Sequence, residues 1–324
     1  VLAKVTDKVS HYEVILDYGT GASPRDMGRA YAAALVQCVP DAEKKLDAIL
    51  YALVNSSMLE GIDIPILPPA LLRVVAMTRL KNILPQLQEP YRQELEGLAD
   101  VLASSEAFEP GDGKLSRTEI LAMNLGMDIG RWEQCCALSV FASRSSTRAP
   151  QTIRVLEFPV EQALLMRKLH GVTKIKNGDK SLCLVQPLRL LGVVSGVSAR
   201  GIFAAVLDSP THQDYVSQGR RSYSFDLRYA LENCASTEAI AEYMGSPSRA
   251  YTYNHVIFMS DGTSARAFEN NFSGLGPNMR RALRTSTSKL NEGILWDEPE
   301  AFAAVTAFAL KGNDSSYFWG HPEP

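Results

Sequence analysis

Apolar positions recur at helical spacing through the first third of the chain. In Asp26 to Gln37 (DMGRAYAAALVQ) they line one face. In DAEKKLDAILYALV, Leu46, Ile49, Leu50 and Leu53 share a face, and Asp41 is placed to cap it. Pro69 opens PALLRVVAMTRLKNIL and Pro90 opens PYRQELEGLADVLA, the first-turn position that proline suits. Ser116 with Glu119 makes an S-x-x-E box ahead of ILAMNLGM. Residues 24 to 132 therefore read as a helix-rich layer. Taken alone, such a layer implies a helical bundle without chemistry.

After Trp132 the period shortens. Ala137 to Ser143 (ALSVFAS) and Thr152 to Phe158 (TIRVLEF) read as strands joined by a polar loop with Pro150. Leu191 to Ser195 and Gly201 to Leu207 form a second pair around GVSAR. Tyr253 to Met259 and Ser264 to Glu269 form a third around Asp261-Gly262, a strong hairpin dipeptide. FDLRYALEN (225 to 233) and STEAIAEYM (236 to 244) read as helices, and Ala301 to Leu310 as a late strand. Antiparallel hairpins with helices between them imply an α+β architecture of stacked sheets covered by helices. One integrated unit fits better than two separable ones: a helix-rich region over 1–134 and a sheet region over 135–324.

Composition narrows the function. The 324 residues are 46% hydrophobic and 21% charged, with a net charge of −3. No basic stripe is present, which argues against nucleic acid as a partner. No apolar run reaches the roughly 18 residues of a membrane span. Of the five cysteines no two form a CxxC pair, so no metal or cofactor site is expected. GDGK at Gly111 to Lys114 lacks both a phosphate-loop frame and calcium-ligand spacing and reads as a turn. The chain opens on Val1, and a removed signal segment would imply export.

The candidate chemistry lies in QCCALSVFASR, Gln134 to Arg144. A buried structural cysteine is the plain reading of Cys135. As a nucleophile it needs a base and donors for the oxyanion. The five histidines sit in no recognisable protease context. If the bond before Cys135 is cut, its own α-amine becomes the base, at the head of a strand. Cys136 is the alternative nucleophile. Strand alternation puts Cys135, Ala137 and Ser139 on one face and Cys136 on the other, so one thiol alone can face a pocket.

CCALSVFASR (135 to 144) resembles the C-S-x-F-x-V-F-G-S-R strand of the N-terminal-nucleophile cysteine hydrolases, and Arg154-Val155-Leu156-Glu157 falls where that group carries R-N-L-D. This is the group of choloylglycine hydrolase, penicillin V acylase and acyl-CoA:6-aminopenicillanate acyltransferase, related to acid ceramidase and N-acylethanolamine acid amidase. GVVSGVSARGIFAAV (192 to 206), YALENCASTEAIAEYM (229 to 244), Asn254-His255 with VIFMSDG, and SPRDMGRAYA near the start resemble further motifs of the group in the same order. The resemblance implies a four-layer αββα sandwich behind a helical pro-segment, with self-cleavage of a zymogen before Cys135. It implies hydrolysis of a linear amide through a thioester, with acyl transfer as the variant outcome, and no cofactor. The substrate would be an N-acyl amino acid, an N-acyl amine, a bile-salt conjugate or a penicillin side chain. Such proteins are often exported or lysosomal, and a homo-oligomer stays open.

By the same resemblance Cys135 is the nucleophile. Arg154 and Glu157 hold the freed amine, Asn254 and Asn270 are amide donors, Thr306 stands at an expected Asn, and Asp208 lies near a substrate-binding position. Several residues depart from the group: Glu157 replaces Asp, Val155 replaces Asn, Ser198 stands in the usual G-M-N, and Thr306 replaces Asn. These motivate a rival reading, a catalytically silent member that acts by binding. A helical module fused to an unrelated β domain is the third reading.

Overall fold

The computed structural model describes residues 2–55, 69–130, 135–157, 160–208, 215–271 and 280–313. The chain opens with two strands, β1 (Ala3–Asp7) and β2 (Tyr12–Asp17). Helices α1 (Pro24–Cys38), α2 (Ala42–Asn55), α3 (Pro69–Ile83), α4 (Glu89–Leu102), α5 (Arg117–Asn124) and α6 (Gly126–Ile129) follow. Then come β3 (Cys135–Val140), β4 (Gln151–Leu156), α7 (Val160–Arg167), β5 (His170–Lys176), β6 (Leu182–Pro187), β7 (Ser195–Ser198) and β8 (Phe203–Asp208). The remainder is α8 (Tyr223–Asn233), α9 (Thr237–Met244), β9 (His255–Ser260), β10 (Ala265–Asn270), β11 (Arg281–Thr285) and β12 (Ala301–Val305).

The helices start where local chemistry tells them to. Ser23 caps α1 by accepting from the Asp26 N–H, with Pro24 in the first turn. Ser116 and Glu119 form the full capping box of α5. Ser222 and Ser236 cap α8 and α9. Helix α1 buries Met27, Tyr31 and Leu35, one per turn, and α4 buries Tyr91, Leu95, Leu98 and Leu102. The two helices cross at glycines. A Cβ on Gly28 would lie 2.1 Å from the Glu94 carbonyl oxygen, and one on Gly97 would lie 2.0 Å from the Arg25 carbonyl oxygen.

Two sheets form among the described residues. The larger has nine strands in the order β1-β2-β5-β6-β7-β8-β9-β10-β11, and the smaller has three, β12-β3-β4. All neighbours are antiparallel except β2 and β5, which run parallel. The fold is α+β. One face of the larger sheet packs against the helices. Its other face meets the smaller sheet through Leu207, Val256, Phe258, Ala265 and Ala267 on one side and Cys135, Ala137, Phe302 and Ala304 on the other. Phe258 and Phe302 meet with ring centroids 5.8 Å apart. Strand β9 is buried along its whole length because it is covered on both faces. The outward side chains of the smaller sheet, Leu138, Ile153, Val155 and Val305, are exposed.

Helix α6 is tied to the start of α8 by a buried carboxylate. Asp128 accepts from the Ser222 hydroxyl at 2.6 Å and from the Tyr223 N–H at 3.1 Å. Its complete burial pushes the carboxyl up to about 7.

The structure revises several boundaries. The segment Leu191–Val194 is not a strand, because its amides are claimed elsewhere: Leu191 N–H by the Asn124 side chain, Val193 N–H by the Ser224 carbonyl, Val194 N–H by the Gln186 side chain. The second hairpin therefore pairs β7 with β8 around residues 199–202. The late strand ends at Val305, since the Glu269 carboxylate takes the Ala309 and Leu310 N–H groups. Strands β1, β2, β5, β6 and β11 and helix α7 are not among the elements expected from the sequence. The buried face of β5, for example, is Gly171, Thr173 and Ile175, which is barely apolar. GDGK is a turn, with positive φ at Gly111 and Gly113 and both N–H groups bonded to the Asp47 carboxylate at 2.7 Å.

Candidate functional site

The head of β3 is where the candidate residues meet. Strand alternation turns Cys135, Ala137 and Ser139 into the space between the sheets. Cys136 points the other way and is partly exposed. In the β3–β4 ladder Cys135 faces Leu156 and Ala137 faces Arg154, so Arg154 is the diagonal neighbour of Cys135 on the inner face. Its Nη2 donates to the Cys135 sulfur at 3.2 Å and to the Val206 carbonyl of β8 at 3.1 Å. A permanent cation donating to sulfur stabilises negative charge there. Burial lowers the Arg154 pKa from its ordinary value, and the neighbouring Cys135 works against that shift. Its Nε is buried without a hydrogen-bond partner among the described residues.

Thr306 is the first residue past β12. The β12–β3 ladder ends one residue before it, with Val305 opposite Cys136. Thr306 follows Phe302 and Ala304 in alternation and is buried. A hydroxyl bridge sets the two sheets against each other four residues farther along β3 than Cys135: Thr152 donates to Ser139 at 3.0 Å and sits 3.0 Å from the Ser260 hydroxyl.

The other candidates lie elsewhere. Asn254, buried just ahead of β9, donates to the Asn271 side-chain oxygen at 3.0 Å. It shares the inter-sheet parity of Val256 and Phe258. Asn270 is on the opposite face. It contacts His255 Nε2 at 3.1 Å and accepts from Arg281 at 2.8 Å, on the helix side of the larger sheet. The reason is a parity of one: Ala265 and Ala267 face the smaller sheet, whereas Phe268 and Asn270 face the helices. Glu157 is exposed, one residue past the end of β4, and in alternation goes with the outward Val155. The structure does not bring it to Cys135. Asp208 ends β8, and its side chain lies outside the described residues, as does the Gln134–Cys135 junction.

His255 is no base for Cys135. It is fully buried on the helix side, stacked on Tyr223 with centroids 4.8 Å apart, and desolvation lowers its pKa to about 3.

Sequence reasoning missed a polar chain next to the candidate site. Asn254 donates to Asn271, Asn271 to Asn313 at 2.9 Å, and Asn313 to the Glu269 carboxylate at 2.9 Å. Arg284 donates to the same carboxylate at 2.8 Å. Glu269 is completely buried and also holds the Ala309 and Leu310 N–H groups. It thus anchors the segment after Thr306 and, through two amides, Asn254. The available signal was an acid and an Asn ending a strand otherwise buried on both faces. A buried acid needs partners.

The arrangement offers a thiol with a cation bonded to it, and, among the other candidates, a buried hydroxyl at Thr306 and a buried amide at Asn254. Among the described residues no cluster of His, Cys, Asp and Glu could hold a metal ion. No helix among them is long and apolar enough to cross a membrane. No family model matches the chain, and no curated protein does. Solved structures include one similar to it, the Caenorhabditis elegans N-acylethanolamine-hydrolyzing acid amidase (NAAA) ortholog. The match has 12% identity and a TM-score of 0.38, and covers 52% of this chain and 69% of that one. A likeness at that score decides neither fold nor chemistry.

Proposed function

We propose that this chain is an N-terminal-nucleophile cysteine amidohydrolase. In that reading the Gln134–Cys135 peptide bond is cleaved, and the freed α-amine of Cys135 acts as base for its own thiol. The thiolate attacks the carbonyl carbon of a linear amide, the amine leaves with a proton, and water releases the acyl group from the thioester. The observation that carries it is the 3.2 Å hydrogen bond from the Arg154 guanidinium to the Cys135 sulfur. Support also comes from the burial of Thr306 just past the end of the β12 ladder, and from the order of motifs that resembles the cysteine hydrolases. Arg154 would steady the sulfur and the new amine. Thr306 and Asn254 are the donors proposed for the oxyanion, which such a site needs where charge develops. The substrate proposed is an N-acyl amine or N-acyl amino acid, and an acceptor amine in place of water would make the same site an acyltransferase.

A second reading, a silent member that binds without turnover, is favoured by the exposure of Glu157 and by the turning away of Asn270. The deciding experiment is the intact mass of denatured protein, alongside Cys135→Ala. Two fragments that meet at Gln134 and Cys135, absent from the variant, support the enzyme. One uncut species that stays uncut after mild acid incubation, and whose Cys135 resists an acylating probe, removes it in favour of the silent reading. A cut one residue later transfers the role to Cys136.

A further inference from the structure

Arg189 lies in the turn that follows β6, and it lacks the carboxylate partners that two other deeply buried arginines have. The residue is 1% exposed. Its Nε, Nη1 and Nη2 are all buried, and none has a hydrogen-bond partner among the described residues. By contrast Arg228, equally deep, is paired with Glu94 and Glu232, and Arg284 is paired with Glu269. Burial pushes the Arg189 guanidinium down to about 10, so it remains a cation at neutral pH. The group whose charge could answer it is Tyr31, but burial pushes that phenol up to about 12 and keeps it neutral. The backbone at Arg189 has φ +73°, a conformation that favours glycine, yet an arginine occupies it. Its N–H donates to the Tyr31 hydroxyl at 2.7 Å, which fixes the turn against α1.

We propose that Arg189 holds a small monovalent anion, a halide such as chloride, buried between α1 and the turn after β6. A water could accept from the guanidinium but could not offset its charge, and an uncompensated buried charge is what folded proteins avoid. One cation calls for one negative charge. The guanidinium is closed off from solvent, with the residue 1% exposed and all three of its nitrogens buried. That enclosure selects a monatomic ion over phosphate or a ligand with a tail. The site lies in the helix-side core, where Leu188 and Leu190 pack, and not in the inter-sheet space of Cys135. The anion would tie the N-terminal helix layer to the larger sheet and take no part in chemistry at the thiol.

The test is thermal unfolding of the full chain at constant ionic strength, with sodium bromide replacing sodium gluconate step by step. An ion bound by the native state alone raises the midpoint steadily as its concentration grows. The wild type should show that rise, and Arg189→Gly, which suits the backbone and removes the cation, should lose it. Arg189→Met, which keeps the apolar stem, should lose it too. Equal slopes in all three proteins, or a flat wild type, overturn the proposal. If neither variant folds, crystals of the wild type soaked in bromide decide it. An anomalous peak within hydrogen-bond reach of the guanidinium supports the site, and bromide found at the surface alone refutes it.

Discussion

Replacing Arg154 with Met tests the contact on which the candidate site rests. The substitution keeps most of the apolar stem and removes the donor to the Cys135 sulfur together with the bond to the Val206 carbonyl. A hydrogen bond from a charged donor contributes about 1.5–3 kcal/mol. If that energy favours the ionised sulfur, its loss slows alkylation of Cys135 by roughly 10- to 100-fold at neutral pH, since about 1.4 kcal/mol is a factor of ten. The stability cost should be small, because removal of a buried cation also removes its desolvation penalty. The assay is the rate of iodoacetamide labelling, read by peptide mass at each cysteine. Cys136 is the internal reference, one residue away but on the outward face of the same strand. It feels the Arg154 charge but makes no hydrogen bond with it, so its rate should change far less. A Cys135 rate within about twofold of wild type, relative to Cys136, refutes the idea that Arg154 stabilises charge on the sulfur.

Two further outcomes follow from packing and burial. Gly28→Ala forces a Cβ to within 2.1 Å of the Glu94 carbonyl, and overpacking of this kind costs about 1–3 kcal/mol, so the thermal midpoint should fall by several degrees; an unchanged midpoint would show that the α1–α4 crossing gives way freely. Asp128 has its carboxyl raised to about 7, so the folded state holds a proton that the unfolded state releases near pH 4, and its contribution to stability is full below that pH and lost as pH rises toward and through about 7. Urea midpoints should therefore decline from pH 5 to 8 in the wild type and decline less in Asp128→Asn; parallel curves refute the assignment.

Much of the helical layer was legible because its signals are local. Ser116 and Glu119 lie three residues apart, and the structure forms both bonds of the box. The hairpin at Asp261-Gly262 was legible for the same reason, since Thr263 and Ser264 fold back onto the Asp261 side chain. Alternation also separated Cys135 from Cys136. What could not be read depends on the chain meeting itself. Nothing near Tyr12 announces that it will pair with Gly171, far along the sequence. Nothing near Leu191 announces that Asn124 will take its N–H. Asn270 looked equivalent to Asn254 as a buried amide, but which face of β10 it occupies is fixed by pairing with β9 and β11. Glu157 was expected beside Arg154 at the freed amine, but β4 ends one residue before it and its side chain is exposed.

The parallel pairing of β2 with β5 has a consequence for how the molecule can be reassembled. All of α1 to α7 lies between these two strands, and so does the Gln134–Cys135 bond. With that bond intact, the long crossover tethers the two edges and closes at an entropic cost that grows only slowly with length. With it cut, the same sheet is built from two molecules, and its recovery from the denatured state becomes second order in concentration. Cleavage there would leave the native contacts where they are and yet make the fold depend, after any unfolding, on the two pieces finding each other again.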